Sequence, residues 1–196
     1  MQNDFEKIIL GIDPGTIVMG YGLVGINRKK MCVISLGVIQ LHKLNNHPMK
    51  LKKIFEKTIA LIDEYHPDDL AIESPFFGKN IQSMLKLGRA QGVAMAAALH
   101  RTVPIFEYSP KKIKQSITGN GNASKEQVAA MLQRLLAFDK TPHFLDATDG
   151  LAAAVCHHFQ NNDKGNTGIK NNSNVKSWKA FVNQHPEKIS SKPKRF

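Results

Sequence analysis

Ile8-Ile9-Leu10-Gly11-Ile12-Asp13-Pro14-Gly15 is a short apolar run that stops at a carboxylate and a Pro-Gly turn. A run of this length bounded by turn residues reads as a buried strand. Leu70-Ala71-Ile72-Glu73 repeats the pattern, again ending on an acid. Between the two, residues 20–26 and 31–41 are β-like runs around the polar turn Asn27-Arg28-Lys29-Lys30, so the chain should begin as an antiparallel meander of three strands. Residues 49–65 place apolar side chains at 51, 54, 55, 58/59 and 62, the period of an amphipathic helix. Residues 81–99 form a longer helix rich in Gly and Ala, which predicts close packing on two sides. A fifth strand is expected over 103–108, and Ser109-Pro110 starts the next helix. Ser124 caps a helix to Leu136, and a last helix covers 146–159. The order βββ-α-β-α-β-α-α-α predicts an α/β fold. Its five-stranded mixed sheet has three antiparallel strands, then two parallel ones, with helices on its flanks.

The 196 residues carry 27 Lys+Arg against 16 Asp+Glu, a net charge of +11. Such an excess points to a polyanion as partner. A membrane is the weaker choice, because the most apolar stretches, such as 92–99, are broken well before the ~20 residues of a span. Residues 1–7 mix acids with a base and do not resemble a signal peptide. Cys32 and Cys156 are too few for a disulfide framework and lack zinc spacing. A cytoplasmic protein with no membrane partner is expected. Residues 161–196 hold +6 of the charge and are rich in Asn, Ser and Lys. They read as a flexible basic tail following a domain over 1–160, with a candidate short helix near 177–184 around the only Trp.

Asp13 and Glu73 close two apolar strands at their carboxyl ends, the edge where ligands gather in open α/β sheets. Asp146 and Asp149 stand three apart on the first turn of a helix and share one face. Alone, that pair would be read as capping and dipole compensation. Four acids together suit a two-cation site. Mg²⁺ is a hard ion that takes oxygen ligands, and two such ions can clamp a phosphodiester. The expected cofactor is therefore two Mg²⁺ per site, with Mn²⁺ as a substitute. Bound cations would also reconcile an acidic cluster with a basic protein that meets nucleic acid.

Residues 9–16, Ile9-Leu10-Gly11-Ile12-Asp13-Pro14-Gly15-Thr16, followed by Gly20-Tyr21-Gly22, resemble the opening of the RuvC family of bacterial Holliday junction resolvases. Ala71-Ile72-Glu73, Phe76-Phe77, Lys79-Asn80 and Leu85-Lys86-Leu87-Gly88-Arg89-Ala90-Gln91-Gly92 are similar to its second block. Phe106-Glu107-Tyr108, Lys114-Gln115, Gly119-Asn120-Gly121, Ala123-Ser124-Lys125 and Asp146-Ala147-Thr148-Asp149 continue the resemblance in order, over about residues 7–160. It implies a ribonuclease H-like nuclease domain whose catalytic, metal-binding acids are Asp13, Glu73, Asp146 and Asp149. It also implies that Lys114 and Lys125 stand beside the scissile phosphate, Lys125 as a catalytic residue. Phe76 would stack on an unpaired base near the junction centre, and Lys79 and Arg89 would contact phosphates. Pro75 would stiffen the loop that presents Phe76.

By the same resemblance the partners are four-way junction DNA, a second copy of the chain, and the branch-migration proteins RuvA and RuvB. The expected activity is a structure-specific endonuclease of recombination and DNA repair. It would nick two strands of like polarity symmetrically and leave 5′-phosphate and 3′-hydroxyl ends. Three other readings compete. An actin-like phosphotransferase shares an Asp-Pro-Gly-Thr loop but needs a second domain. A ribonuclease H-like nuclease acting on RNA would use the same acids. A non-catalytic nucleic-acid-binding module would have no need of them. His143 lies near Asp146 but reads as a loop histidine, and His157 and His158 as ordinary helix residues.

Overall fold

The chain forms, in order, β1 (Lys7–Asp13), β2 (Val18–Asn27), β3 (Lys30–Gln40), α1 (His47–Tyr65), β4 (Asp69–Glu73), α2 (Ile81–His100), β5 (Ile105–Tyr108), α3 (Pro110–Thr118), α4 (Lys125–Leu136) and α5 (Leu145–Asn166). This computed structural model describes residues 5–28, 30–75, 80–138 and 145–166, with side chains to 161. The sheet order is β3-β2-β1-β4-β5. β1 pairs antiparallel with β2, and β2 with β3, whereas β4 and β5 extend the sheet in parallel. The expected mixed sheet is therefore present, three antiparallel strands and then two parallel ones.

Alternation along the strands divides the core in two. Ile9 and Ala71 pack on one face with Ile113, Val128, Leu132 and the central residues of α5. Leu10, Ile12, Leu70 and Ile72 pack on the other with Ile54, Leu61, Ala90 and Ala94 from α1 and α2. The odd-numbered positions of β1 and β4 thus face α5. That parity carries Asp13 and Glu73 to the α5 side, and Asp69 with them.

α5 is apolar all round at its centre, as a helix enclosed on every side must be. Residues Leu151 to Cys156 are at most 1% exposed. It lies against the sheet backbone to backbone, because glycines face it. A Cβ on Gly20 would stand 1.8 Å from the carbonyl oxygen of Asp146, and one on Gly22 would stand 2.5 Å from Leu151 Cα. Any side chain at these two positions would push α5, and the acids on its first turn, away from β2.

Local signals explain the helix starts. Asn46, Asn80, Ser109 and Ser124 each accept a backbone N–H of the first turn, and Ser124 with Gln127 completes a capping box. Two boundaries differ from expectation. β5 begins at Ile105, because Thr102 adopts a left-handed φ of 59° and Pro104 follows it. α5 runs past Phe159 to Asn166, a stretch that contains no proline. α2 does pack on two elements, α1 and the sheet, but a further face of it stays open among the described residues. Ala90, Ala94, Ala97 and Ala98 are buried, yet Gly88 and Gly92 face open space and Ile81, Leu85 and Leu99 are exposed. No described helix is long and apolar enough to cross a membrane.

His157, read from sequence as an ordinary helix residue, is fully buried in a polar network. Its Nε2 lies 2.9 Å from Asp69 Oδ2. Its Nδ1 lies 2.7 Å from the Tyr108 hydroxyl. Lys7 pairs with the same Asp69 oxygen. Burial opposes the Asp69 charge, but Lys7 and His157 outweigh it and hold the carboxyl below its usual range. An ionised Asp69 needs a proton on Nε2, which leaves Nδ1 to accept the Tyr108 O–H. Burial, with Cys156 and Asp69 nearby, pushes the Tyr108 hydroxyl up to about 12, so it remains a donor.

Candidate active site

Parallel pairing aligns Ile12 with Ile72, so the next residues, Asp13 and Glu73, stand side by side at the carboxyl edge. The first turn of α5 brings Asp146 and Asp149 to the same edge. α3 contributes Lys114 and α4 contributes Lys125. Asp13, Glu73, Lys114, Lys125 and Asp149 line one cavity of about 170 Å³, floored by Pro110, Ile113, Val128 and Ala152. Asp146 lies further out, with its side chain 42% exposed against 14% for Asp149. A second cavity of about 160 Å³ borders Asp13 and Glu73 through Pro14, Ser74, Pro75 and Leu87.

The acids outnumber the cations here, and burial sharpens the conflict. Asp13 is held well above its usual value, first by burial and then by the charges of Glu73 and Asp149. Burial and Asp149 raise Glu73 to about 7, against the pull of Lys125 and Lys114. Asp149 is raised by burial despite its contact with Lys125. The Lys125 ammonium lies 2.5 Å from Asp149 Oδ2 and 3.1 Å from Asp146 Oδ1. Burial works against the Lys125 charge, but these two carboxylates prevail and raise its pKa.

The donor set is all oxygen, which matches a hard divalent cation. Among the described residues, no three acidic, histidine or cysteine side chains converge to grip one ion alone. Mg²⁺ seldom needs that. It takes one or two protein carboxylates and fills its shell with water and substrate phosphate oxygens. Four spread acids around a cavity therefore fit ions completed by a bound phosphate.

The family model described as Crossover junction endodeoxyribonuclease RuvC matches residues 9–157. This chain belongs to the RuvC family. A RuvC of Christiangramia forsetii is 64% identical over 184 residues, covering 94% of this chain and 93% of that protein. A RuvC of Porphyromonas gingivalis is 59% identical over 186 residues, covering 94% and 97%. Both carry the name crossover junction endodeoxyribonuclease. Among solved structures, T. thermophilus RuvC in complex with a Holliday junction substrate superposes with a TM-score of 0.75. It is 28% identical, and the match covers 81% of this chain and 97% of that one. The ribonuclease H-like expectation for the sheet thus agrees with a RuvC structure.

Of the residues singled out from sequence, Asp13, Glu73, Asp149, Lys114 and Lys125 share the cavity, and Asp146 joins them through Lys125. Arg89 is elsewhere. It is exposed on α2 and faces His47. Phe76, Phe77, Lys79, His143 and the candidate helix near 177–184 lie outside the described residues. Sequence reasoning missed Gln91, which is only 7% exposed. Its amide donates to Glu107 Oε2 at 2.9 Å and reaches the Glu73 carbonyl at 3.5 Å, tying α2 to the strand end that holds Glu73. An amide among the small residues of α2 was the available signal.

Proposed function

We propose that this RuvC-family chain is a Holliday junction endonuclease whose catalytic acids are Asp13, Glu73, Asp146 and Asp149. The observation that carries the reading is the meeting of acids from β1, β4 and α5 with Lys114 and Lys125 around one cavity. The four carboxylates would hold two Mg²⁺ ions, with Mn²⁺ able to substitute. When bound, such ions supply an activated water and stabilise the leaving oxygen of a phosphodiester. Asp13 and Glu73 contribute donors fixed by strand ends, so little reorganisation is needed as charge develops. Lys125 neutralises Asp146 and Asp149 and stands within reach of a phosphate in the cavity. Lys114, across α3, offsets charge on the same phosphate.

The name of the junction-bound T. thermophilus relative supports four-way junction DNA as the substrate here. Phe76 would stack on an unpaired base, and Lys79 and Arg89 would hold phosphates. A homodimer accounts for the uncovered stripe of α2. Ile81, Leu85, Gly88, Gly92 and Leu99 recur at helical spacing along one exposed face. Two-fold symmetry would pair two active sites with two strands of like polarity. We assign 1–160 to the nuclease domain and 161–196 to a basic tail, and place the enzyme in the cytoplasm with RuvA and RuvB. The test is incubation with a synthetic four-way junction, a linear duplex and an RNA–DNA hybrid, each with Mg²⁺. Paired nicks confined to the junction, with 5′-phosphate and 3′-hydroxyl ends, are the expected result. Cleavage of the hybrid alone, or binding with no cleavage, would overturn the reading.

A further inference from the structure

A second cluster of charge lies beside the carboxylates, and its sign is opposite. Thr16, Ile17, Asn45, Asn46, His47, Lys50 and Lys86 line a cavity of about 240 Å³ between the start of α1 and the second turn of α2. No carboxylate is among these residues, and the first turn of α1 contains no acid. Arg89, one turn along from Lys86, extends the cluster.

The His47 ring is half-exposed, but its Nε2 atom is buried and makes no hydrogen bond among the described residues. Burial, with Arg89, Lys86 and Lys50 around it, holds the imidazole below its ordinary pKa. A neutral ring can donate one N–H, and Lys50, Lys86 and Arg89 set a positive field around it. Buried polar atoms are normally satisfied, so an unpaired ring nitrogen at a cavity in this positive field suits an anionic oxygen there. The positive end of the α1 backbone adds to the same field.

We propose that this cavity binds a backbone phosphate of the junction, close along the strand from the one being cut. The inference rests on the nuclease reading and extends it. Its position is set by Lys50, whose ammonium donates to the Thr16 carbonyl at 3.0 Å. Thr16 is three residues from Asp13, at most about 10 Å along the chain. A strand that enters the acidic cavity is repelled there until cations are bound. Phosphate held at Lys50, Lys86 and His47 would keep it in place. Such a contact positions the strand without reading its sequence.

Lys86→Gln is the clean variant, because Lys86 is exposed and Lys50 also supports the loop after Asp13. The control is Lys30→Gln, at the β2–β3 turn and the opposite end of the sheet. Junction binding by the full chain is measured without divalent ions, at several salt concentrations. Lys86→Gln should raise Kd several-fold and flatten the log–log salt dependence by about 0.9, the value for one phosphate contact. Lys30→Gln should leave the slope unchanged. His47 ring nitrogen shifts, read by NMR, should move on adding junction to the wild type. Unchanged salt slope in Lys86→Gln, or equal flattening in Lys30→Gln, would overturn the proposal while junction binding itself stands. Equal His47 shifts with inorganic phosphate at the same concentration would make this a free-anion site and also overturn it. A wild type that binds no junction would instead remove the nuclease reading beneath it.

Discussion

The α5–β4 pair has a polar cluster at each end, and the two behave in opposite ways. At one end Asp69 meets His157 and Lys7, with Tyr108 on the other His157 nitrogen, and is ionised with its partners in place. At the other, Glu73 meets Asp13 and Asp149 in a cavity where the lysines do not balance the acids. The same helix and strand carry both. Asp146 and His157 are about 16 Å apart along α5. A closed set of hydrogen bonds holds the helix down, whereas excess like charge around an opening is useful only when a ligand arrives. One end serves stability, and the other is the end proposed for the chemistry.

Substitutions at the open end should therefore affect rate, and those at the closed end should affect folding. Asp146→Asn should reduce Mg²⁺-dependent junction cleavage on the order of 10³-fold, about 4 kcal/mol of transition-state stabilisation, while junction binding persists. A single-turnover assay that found normal nicking would remove Asp146 from the site.

His157→Ala should destabilise the fold by about 3 kcal/mol, since it leaves the Asp69 charge and the Tyr108 hydroxyl without their buried partner. Denaturant unfolding would measure it. At low temperature the folded fraction should still cut junctions, and a selective loss of cleavage would erase the contrast between the two ends.

A smaller effect concerns pH. The folded pKa of Asp69 is depressed below its ordinary 3.8, so its contribution to stability is complete above that value. It is lost as pH falls from about 4 through the lower folded pKa. Asp69→Asn should flatten the wild-type decline in that acid range, as followed by unfolding at a series of pH values.

The smallest expected effect is at Lys125. The wild type should show a modest rise in Tm with Mg²⁺, through binding to the folded state alone. Lys125→Gln should show a larger rise, because the ammonium competes for Asp146 and Asp149. An equal rise in both would mean that Lys125 and the cation do not share those carboxylates.

Much of this was legible in the sequence. Apolar runs ending at Asp13 and Glu73, cap residues such as Asn46 and Ser124, and helical periodicity are local signals, and backbone preference acts locally. The four acids could be singled out because each ends a strand or starts a helix. Boundaries were weaker where a single residue decides, as with the left-handed Thr102 before β5.

What the sequence determined alone was the order of elements and the carboxylates at their ends, because these follow from residue type and spacing along one segment. Tertiary structure decided which charges meet. Lys125 lies 21 residues from Asp146, His157 lies 88 from Asp69, and Lys50 lies 34 from Thr16. Those distances close only when glycines let α5 settle on the sheet and strand parity turns Asp13, Glu73 and Asp69 toward it. Periodicity records which face a residue occupies, but the partner on that face comes from another element.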